Sequence, residues 1–292
     1  IHIYKNYIII LIIIIMIKNI IFTSGGTKGI CYIGVIKLLE EYNLLKKINT
    51  YCGVSIGSIF ALLLLLDYTY KELEEILKNN NLIDLINITN ENIINLLDNY
   101  GLDDSKILIN TIKDLVFRKI KKSHDITFID LYNISKKKLI IIGTCLNTHC
   151  YEQFDYINTP YMSIFQAINI SICIPILFKP IKYNNKLYVD GAITNRMPID
   201  IFLNELEDTI IFNITFNKTS NVINNFIDYL YNIIMCKLTN NYDSYRKYYL
   251  NLFINCSILE FNMNLKEKNK IINYSYNETK KYIETRYKIN NI

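Results

Sequence analysis

The placement of glycine constrains this chain more than any other feature of its sequence. Its 292 residues include only nine glycines, and six of these fall in three short clusters. The clusters are Gly25, Gly26 and Gly29; Gly53 and Gly57; and Gly191. A chain that otherwise avoids glycine keeps it where a side chain would not fit. Each cluster is therefore a candidate for a tight turn at a functional site.

The middle cluster is a G-x-S-x-G motif, Gly53-Val54-Ser55-Ile56-Gly57, in the context that a nucleophile elbow requires. The apolar run 48–54 before it predicts a strand, and the apolar run 56–66 after it predicts a buried helix. On such a turn the serine hydroxyl projects at the helix N-terminus, where unpaired amides and the helix dipole favour negative charge. Ser55 is thus a candidate nucleophile, and the alternative is an ordinary N-cap serine.

The first cluster lies in the turn Ser24-Gly25-Gly26-Thr27-Lys28-Gly29, between a predicted strand at 19–23 and a predicted helix at 29–42. A turn of this kind aims consecutive backbone N–H groups at an anion, either a phosphate or a developing oxyanion. It is not a P-loop, because the G-x-x-x-x-G-K-S/T pattern is missing, and Ser24 stands where a dinucleotide fingerprint needs its first glycine. Taken alone, the turn is equally well explained as a plain strand-to-helix connection.

The third cluster, Asp190-Gly191-Ala192, follows a short predicted strand at 187–189 and alone would indicate no more than a turn. A serine nucleophile needs a base, however. The three histidines are at positions 2, 124 and 149. None lies late enough in the chain for the Ser–Asp–His order of an α/β-hydrolase triad. An aspartate at a strand end is the next candidate, which makes Asp190 the expected base.

Elsewhere the hydrophobic pattern alternates between strands and helices. Further strands are predicted at 138–144 and 208–216, and a further helix at 71–79. Residues 82–122 predict a mostly helical stretch with a break at Tyr100-Gly101, and this stretch is the candidate lid. Residues from about 221 onward are expected to form a helical cap. The alternation favours an α/β fold whose mostly parallel sheet is covered by helices on both faces.

The N-terminal end carries an unbroken apolar run, Ile8 to Ile17, that is too short to span a bilayer as a helix. It is interpreted as a leader before the first strand, a signal-peptide core or a membrane anchor, and no small-residue cleavage site follows it.

Seven scattered cysteines without a CxxC pair indicate reduced thiols in an intracellular protein rather than a disulfide framework or a zinc site. The net charge of +5 is too small to argue for nucleic acid. We expect an intracellular protein, cytoplasmic or peripheral on membranes.

Taken in order, the three motifs resemble those of the patatin-like phospholipases. The resemblance rests on Ser24–Glu41 (SGGTKGICYIGVIKLLEE), on GVSIG, and on the stretch Phe165–Pro198 that contains DGA. It covers about residues 19–216 and implies a three-layer sandwich around a central, mostly parallel sheet. The chain then divides into an apolar leader at 1–18, a catalytic domain at 19–216 and a helical C-terminal extension at 217–292. The implied activity is that of a phospholipase A-type lipid acyl hydrolase, which works at a membrane surface without metal or cofactor.

Carried over residue by residue, the resemblance implies a Ser–Asp dyad that acts through an acyl-enzyme. Ser55 is the implied nucleophile and Asp190 the implied base. Gly53 and Gly57 belong to the nucleophile elbow, and Gly191 and Ala192 complete the Asp motif.

The oxyanion hole is implied to lie in the first turn, at Gly25, Gly26, Lys28 and Gly29. Gly25 and Gly26 would supply backbone amides, and Lys28 occupies the basic position of the loop. The chain departs from the family at Ser24, where the first of three consecutive glycines usually stands. A positive φ at Ser24 would cost about 1–3 kcal/mol.

Apolar residues before Asp190 suit an acyl chain and would raise the basicity of the carboxylate, although such side chains more often form the core. They are Ile172, Ile174, Ile176, Leu177 and Phe178.

Basic clusters at 118–122 and 136–138 could hold an anionic membrane surface, but a solvated face is the more ordinary interpretation. Two alternatives stay open: an α/β-hydrolase-type esterase or thioesterase with His149 as base, and a degenerate patatin domain that only binds lipid.

Overall fold

The computed structural model describes residues 17–79, 82–121, 125–215, 242–255 and 263–287. The strands of this part of the chain are Asn19–Phe22 (β1), Thr50–Val54 (β2), Gly101–Asp103 (β3), Lys138–Cys145 (β4), Cys150–Phe154 (β5), Ile176–Phe178 (β6), Ile181–Tyr183 (β7), Lys186–Asp190 (β8), Thr209–Thr215 (β9) and Tyr249–Phe253 (β10). Its α-helices are Cys31–Glu41 (α1), Ile56–Leu65 (α2), Tyr70–Asn79 (α3), Asn90–Ile94 (α4), Leu96–Asn99 (α5), Lys106–Ile120 (α6), Phe128–Ser135 (α7), Ile164–Ser171 (α8) and Leu265–Arg286 (α9). Short 3₁₀ helices occupy Gly26–Ile30, Leu44–Lys47, Leu82–Leu85, Gly191–Ile193, Ile199–Asp208 and Asp243–Tyr248.

A central sheet of eight strands organises the fold. Its order is β10-β9-β1-β2-β4-β8-β7, with β5 also paired to β4. The five strands from β10 to β4 are parallel to their neighbours, whereas β5, β7 and β8 pair in antiparallel fashion. β3 and β6 form a separate parallel pair. The mostly parallel α/β sheet predicted from the sequence is therefore confirmed.

Side chains of the sheet alternate between two cores. In β1, Ile20 and Phe22 face the larger core, which the α-helices cover, and Ile21 faces the smaller one. In the described part of the chain, the smaller core packs against the 3₁₀ segment Ile199–Asp208. Because the strands are buried on both faces, they are continuous apolar runs in the sequence rather than alternating ones.

The register along β4 brings two strand ends together. Val54, the last residue of β2, lies opposite Ile142. Asp190, the last residue of β8, lies opposite Gly143. β2 is parallel and β8 antiparallel to β4, so their carboxyl ends approach neighbouring positions from opposite directions. The residue that follows Val54 therefore comes to lie beside Asp190.

The structure differs from the predicted elements in three places. The break predicted at Tyr100-Gly101 is where the short strand β3 begins. The C-terminal segment is not only helical, because β10 extends the parallel sheet beyond β9 before α9 begins. Strands β5, β6 and β7 were not predicted. β6 and β7 have three residues each, which is too few to show a hydrophobic period.

Two predicted segments fall largely outside the described residues. They are the apolar leader, of which only residues 17–18 are described, and the stretch 216–241. In the ranges that are described, no helix is both long enough and apolar enough to cross a bilayer. The division of the chain at residue 216 stays a prediction.

Helix α9 lies directly against α1, so the C-terminal segment is packed on the rest of the fold. Gly34 in α1 shows how close the two helices are. A Cβ atom added there would overlap the carbonyl oxygen of Ile272 and the side-chain oxygen of Ser275, both in α9. Only a glycine at this position allows the two helix backbones to approach so closely.

We expect Gly34→Ala to lower the free energy of unfolding by about 1–3 kcal/mol, because the added methyl group forces α1 and α9 apart. Chemical denaturation of the whole chain measures this loss. The control is Lys270→Ala on the exposed side of α9, which should change stability by less than about 0.5 kcal/mol. An unchanged midpoint for Gly34→Ala would contradict the described packing of α9.

Candidate active site

Ser55 occupies a sharp turn between β2 and α2. Its backbone has φ 55° and ψ −128°, a combination that an L-residue adopts only where the surrounding structure imposes it. Gly57 makes the turn possible, because a Cβ atom there would overlap the carbonyl oxygen of Phe22 at the end of β1. The predicted strand–turn–helix around the G-x-S-x-G motif is thus present, with Gly53 at the end of β2 and Gly57 in the first turn of α2.

The side chains of Ser55 and Asp190 meet directly. The Ser55 hydroxyl donates a hydrogen bond to Asp190 Oδ2 at 2.5 Å. The other carboxylate oxygen, Oδ1, accepts from the backbone N–H of Ala192 at 2.8 Å, just after Gly191 begins a 3₁₀ turn. Both side chains are almost fully buried, with 4% and 3% of their surface exposed. The second hydrogen bond fixes the carboxylate plane, so that Oδ2 is held toward the serine.

The last residue of α8 and the segment that follows it anchor both residues, and the sequence did not reveal this. Ser171 Oγ accepts the backbone N–H of Ser55 at 2.9 Å and donates to the carbonyl of Ile142 at 2.7 Å. Two residues later, the carbonyl of Cys173 accepts the backbone N–H of Asp190 at 2.8 Å. The available signal was a lone serine in the apolar run Ile170-Ser171-Ile172, where a buried hydroxyl needs partners.

The electrostatic environment of Asp190 favours its protonated form. Burial raises the pKa of this carboxyl from 3.8 to about 7, while the hydrogen bonds from Ser55 and Ala192 act in the opposite direction. Removal from water is therefore the dominant effect on the Asp190 pKa. A carboxylate with a pKa near neutrality is a much stronger base than an ordinary aspartate and still ionises at physiological pH.

The glycine-rich loop borders the same space as Ser55. Gly26 and Thr27 line the cavity that contains Ser55, and Gly26 has a positive φ of 56°. Ser24 does not adopt a positive φ, so the strain expected from its replacing a glycine is absent. The left-handed conformation falls on Gly26, which adopts it without a steric cost.

The other predicted oxyanion residues, Gly25, Lys28 and Gly29, are not among the residues that line the cavity. Cβ atoms at Gly25 and Gly29 would overlap the side chains of Ile214 and Ile56 respectively, so both glycines pack against the core. Lys28 is buried, and its ammonium donates to the carbonyl of Ile254, just after β10, at 3.0 Å. Lys28 therefore ties the loop to the C-terminal strand and is not among the residues that line the cavity.

The cavity at Ser55 has a volume of about 110 Å³ and an almost wholly apolar wall. Its lining comes from the glycine loop, α2, α3, the 82–86 region, α6 and the 172–178 stretch. The lining residues are Gly26, Thr27, Ile30, Ser55, Ile56, Ile59, Phe60, Leu77, Leu85, Ile86, Leu108, Ile172, Ile174, Leu177 and Phe178. Four of the five apolar residues predicted to suit an acyl chain are among them, and Ile176 is not. A space of this size and polarity accommodates a small hydrocarbon group.

His149, the base required by the esterase alternative, lies in the turn between β4 and β5 and is exposed. Asp190 pairs with Gly143 in β4. The strand continues for two more residues to Cys145, and the turn that contains His149 begins only after it. The geometry gives no support to a Ser55–His149 pair. His2 and His124 lie outside the described residues. Within the described ranges, no three His, Cys, Asp or Glu side chains cluster as metal ligands would.

Three of the six described cations in the two basic clusters form ion pairs within the fold. Lys137 pairs with Asp67 at 2.7 Å, and Lys138 pairs with the buried carboxylate of Asp155 at 3.1 Å. In the other cluster, Lys119 pairs with Glu72 at 2.8 Å, and Lys122 lies outside the described residues. A membrane-binding role of these clusters stays a prediction.

Comparisons with known proteins show the family of this chain. A family model described as Patatin-like phospholipase matches residues 20–203. "Uncharacterized protein R571" of Acanthamoeba polyphaga mimivirus is 30% identical over 288 residues, which cover 91% of this chain and 94% of the relative. "Probable lipid hydrolase 463L" of Invertebrate iridescent virus 6 is 34% identical over 186 residues, which cover 63% of this chain and 62% of the relative.

Solved structures share the fold. VipD from Legionella pneumophila superposes with a TM-score of 0.64 at 15% identity, over 93% of this chain and 67% of VipD. ExoU from the type III secretion system of Pseudomonas aeruginosa, solved in complex with SpcU, gives a TM-score of 0.55 at 16% identity, over 93% of this chain and 53% of that chain. This chain thus spans about half of the length of ExoU. At these identities the likeness concerns the fold alone, and it confirms the three-layer arrangement expected from the sequence.

The raised pKa of Asp190 has a consequence for stability. As pH rises from about 4 to about 7, the unfolded chain ionises this carboxyl while the folded chain retains the proton, so the free energy of unfolding falls. The total loss is of the order of 4 kcal/mol. We therefore expect Asp190→Asn to raise the melting temperature, and the gain over wild type to be larger at pH 8 than at pH 5.

Thermal melts of both proteins at several pH values measure the effect. Asp114→Asn, at an exposed position on α6, is the control and should show a small difference that hardly changes with pH. A stability gain for Asp190→Asn that is equal at pH 5 and pH 8 would contradict a raised pKa for Asp190.

Proposed function

This chain belongs to the patatin-like phospholipase family, and we propose that it is a serine-dependent lipid acyl hydrolase whose catalytic pair is Ser55 and Asp190. The observation that carries the proposal is the buried hydrogen bond of 2.5 Å between the serine hydroxyl and the carboxylate. A hydroxyl on a strained elbow, bonded to a carboxylate of raised pKa at the wall of an apolar cavity, has the geometry of an activated nucleophile.

In the proposed first step, Ser55 Oγ attacks the ester carbonyl carbon and its proton passes to Asp190 Oδ2. The carbon–oxygen double bond becomes a single bond, and negative charge develops on the former carbonyl oxygen. Collapse of this intermediate breaks the ester bond. The proton on Asp190 is then delivered to the departing alcohol, and the acyl group stays on Ser55. The Ala192 amide keeps the carboxylate in position throughout, because it holds the oxygen that is not used.

In the second step, a water molecule gives its proton to Asp190 and attacks the acyl-enzyme. The bond between the acyl carbon and Ser55 Oγ breaks, and Ser55 recovers its proton from Asp190. One carboxylate therefore serves as base and then as acid in each half of the reaction, so no histidine is needed.

The oxyanion is assigned to the glycine-rich loop, with the amides of Gly25 and Gly26 as its donors. Gly26 borders the cavity at the start of a 3₁₀ helix, where backbone N–H groups have no helical acceptor. Loss of one such donor typically lowers the rate by a factor of about 10²–10³. Lys28 supports the loop through Ile254 and is assigned no contact with the oxyanion.

The cavity wall is assigned to the acyl chain of the substrate. The cavity volume is smaller than that of an engineered cavity of about 150 Å³ that binds benzene. In the described conformation the cavity therefore accepts a short acyl group or the part of a longer chain nearest the ester. An apolar wall also keeps water from Asp190, which maintains its raised pKa.

We expect Ser55→Ala and Asp190→Asn each to lower hydrolysis of a short-chain ester such as p-nitrophenyl butyrate by at least about 10³-fold. Without Ser55 there is no nucleophile, and without the carboxylate no group accepts the Ser55 proton. A fluorophosphonate probe, which reacts with activated serines, should label wild type and not Ser55→Ala.

Two matched variants make this test specific. Ser244→Ala removes an exposed serine and should leave both labelling and hydrolysis unchanged. His149→Ala should also retain activity, and its inactivation would favour the esterase alternative. Wild type that neither labels nor hydrolyses any ester would instead indicate a lipid-binding domain without catalysis.

Acylation should depend on the ionisation of Asp190. Because its pKa is raised to about 7 and the carboxylate is the active form, the rate of fluorophosphonate labelling should fall about tenfold per pH unit below that value. Above about pH 8 the rate should level off. Circular dichroism at each pH controls for unfolding. A labelling rate that is constant from pH 5 to pH 8 would rule out Asp190 as the base.

A further inference from the structure

Helices α4 and α5 expose three of their four apolar side chains, and the fourth, Leu96, is half-buried. Ile93, Ile94, Leu97 and Tyr100 expose 56%, 80%, 85% and 65% of their surface. Their spacing places them along one side of the two consecutive helices. The residues between them that turn toward the protein include polar Asn92, Asn95 and Asn99, which are half-buried. An amphipathic surface helix normally has the opposite orientation. We call the four exposed residues the apolar face.

The segment that carries the apolar face is attached at both ends beside the cavity of Ser55. At its beginning, Leu85 and Ile86 line the cavity, and the Asn87 N–H donates to the buried carboxylate of Asp103. At its end, β3 pairs with β6, and β6 contributes Leu177 and Phe178 to the cavity wall. The apolar face therefore lies on a chain segment whose beginning lines the cavity and whose end pairs with a strand that lines it.

The charge of this segment excludes an electrostatic attraction to anionic surfaces. No lysine or arginine occurs from Asn79 to Ser105, whereas the same range contains the acidic residues Asp84, Glu91, Asp98, Asp103 and Asp104. An anionic membrane would repel these carboxylates. An uncharged or zwitterionic lipid surface would instead remove the four apolar side chains from water. This burial of apolar surface is the favourable contribution of the segment to lipid binding.

We propose that Ile93, Ile94, Leu97 and Tyr100 form a docking surface that inserts into the apolar region of a zwitterionic or neutral lipid layer. The proposal rests on the proposed lipid acyl hydrolase function, since it names the surface through which that site meets its substrate. Docking in this orientation brings the segment at residues 85–86 to the lipid. An acyl chain then passes from the layer to the cavity past Leu85 and Ile86 without crossing bulk water.

The experiment uses vesicles of phosphatidylcholine and the full chain in the Ser55→Ala background, so that binding is measured without hydrolysis. We expect the double variant Ile94→Asn/Leu97→Asn to bind these vesicles at least about tenfold more weakly in co-sedimentation. Addition of anionic lipid should not strengthen binding of the parent, and added salt should not weaken it. Both side chains are exposed, so the variant keeps the parent's melting temperature.

The matched control is Leu203→Asn, compared with the single variant Leu97→Asn. Leu203 is also an exposed leucine, but it lies in the 3₁₀ segment that covers the smaller core on the other face of the sheet. Leu203→Asn should bind vesicles as the parent does. Equal binding by all variants, or equal losses for Leu97→Asn and Leu203→Asn, would overturn the proposal.

A second readout separates this proposal from the proposed function. With Ser55 intact, Ile94→Asn/Leu97→Asn should hydrolyse soluble p-nitrophenyl butyrate within about twofold of wild type and phosphatidylcholine vesicles at least about tenfold more slowly. A parallel loss on both substrates would overturn the docking role, because it would indicate damage to the site itself. Wild type that binds vesicles through this face but hydrolyses neither substrate would refute the hydrolase and leave the docking surface supported.

Discussion

The hydrogen bond between Ser55 and Asp190 depends on one topological constraint, the meeting of two strand ends at β4. Val54 pairs with Ile142 and Asp190 with Gly143, so a parallel and an antiparallel strand deliver their last residues to adjacent positions. A carboxylate delivered in this way reaches the serine from the sheet itself, and no loop histidine has to mediate. The rest of the site follows from this arrangement. Hydrogen bonds from the backbone N–H groups of Ser55 and Asp190 to Ser171 and Cys173 hold the two strand ends in place. The surrounding apolar side chains exclude water.

That exclusion has an energetic cost that the rest of the fold offsets. A carboxylate removed from water and given no cationic partner opposes folding once it ionises. The larger core, which includes the buried side chains of α1 and α2, supplies the apolar burial that offsets this cost. The strained backbone at Ser55 is held in the same way, between β2 and the helix that follows. In the proposed mechanism, the burial that makes Asp190 a stronger base therefore also lowers the stability of the fold. The apolar burial around the parallel sheet compensates for this loss.

The sequence predicted the parts of this structure that rest on strong local signals. Glycine clusters in a glycine-poor chain located the turns at Ser55 and Asp190, and long apolar runs located β1, β2, β4 and β9. What it did not predict was set by tertiary pairing. β10 is a strand because β9 offers it an edge, and β6 because β3 lies beside it. The condition for strain at Ser24, a positive φ, is not met, because the left-handed conformation falls at Gly26. Backbone geometry of this kind is decided by contacts that no local pattern records.

In the proposed mechanism, an enclosed Ser–Asp dyad and a lipid substrate place opposite demands on the same cavity. The raised pKa of Asp190 requires a dry wall, yet a long acyl chain must enter through that wall. The segment from Asp84 to Tyr100 can meet both demands, because none of its residues is fully buried while Leu85 and Ile86 still close the cavity. Few buried apolar contacts mean that its local opening costs much less than opening the core. Its helices are preserved on opening, since the capping box of Thr89 and Asn92 is internal to α4. The orientation of α4 and α5 then has a physical reason under the proposal: most of their apolar side chains face outward, where the proposed lipid layer covers them.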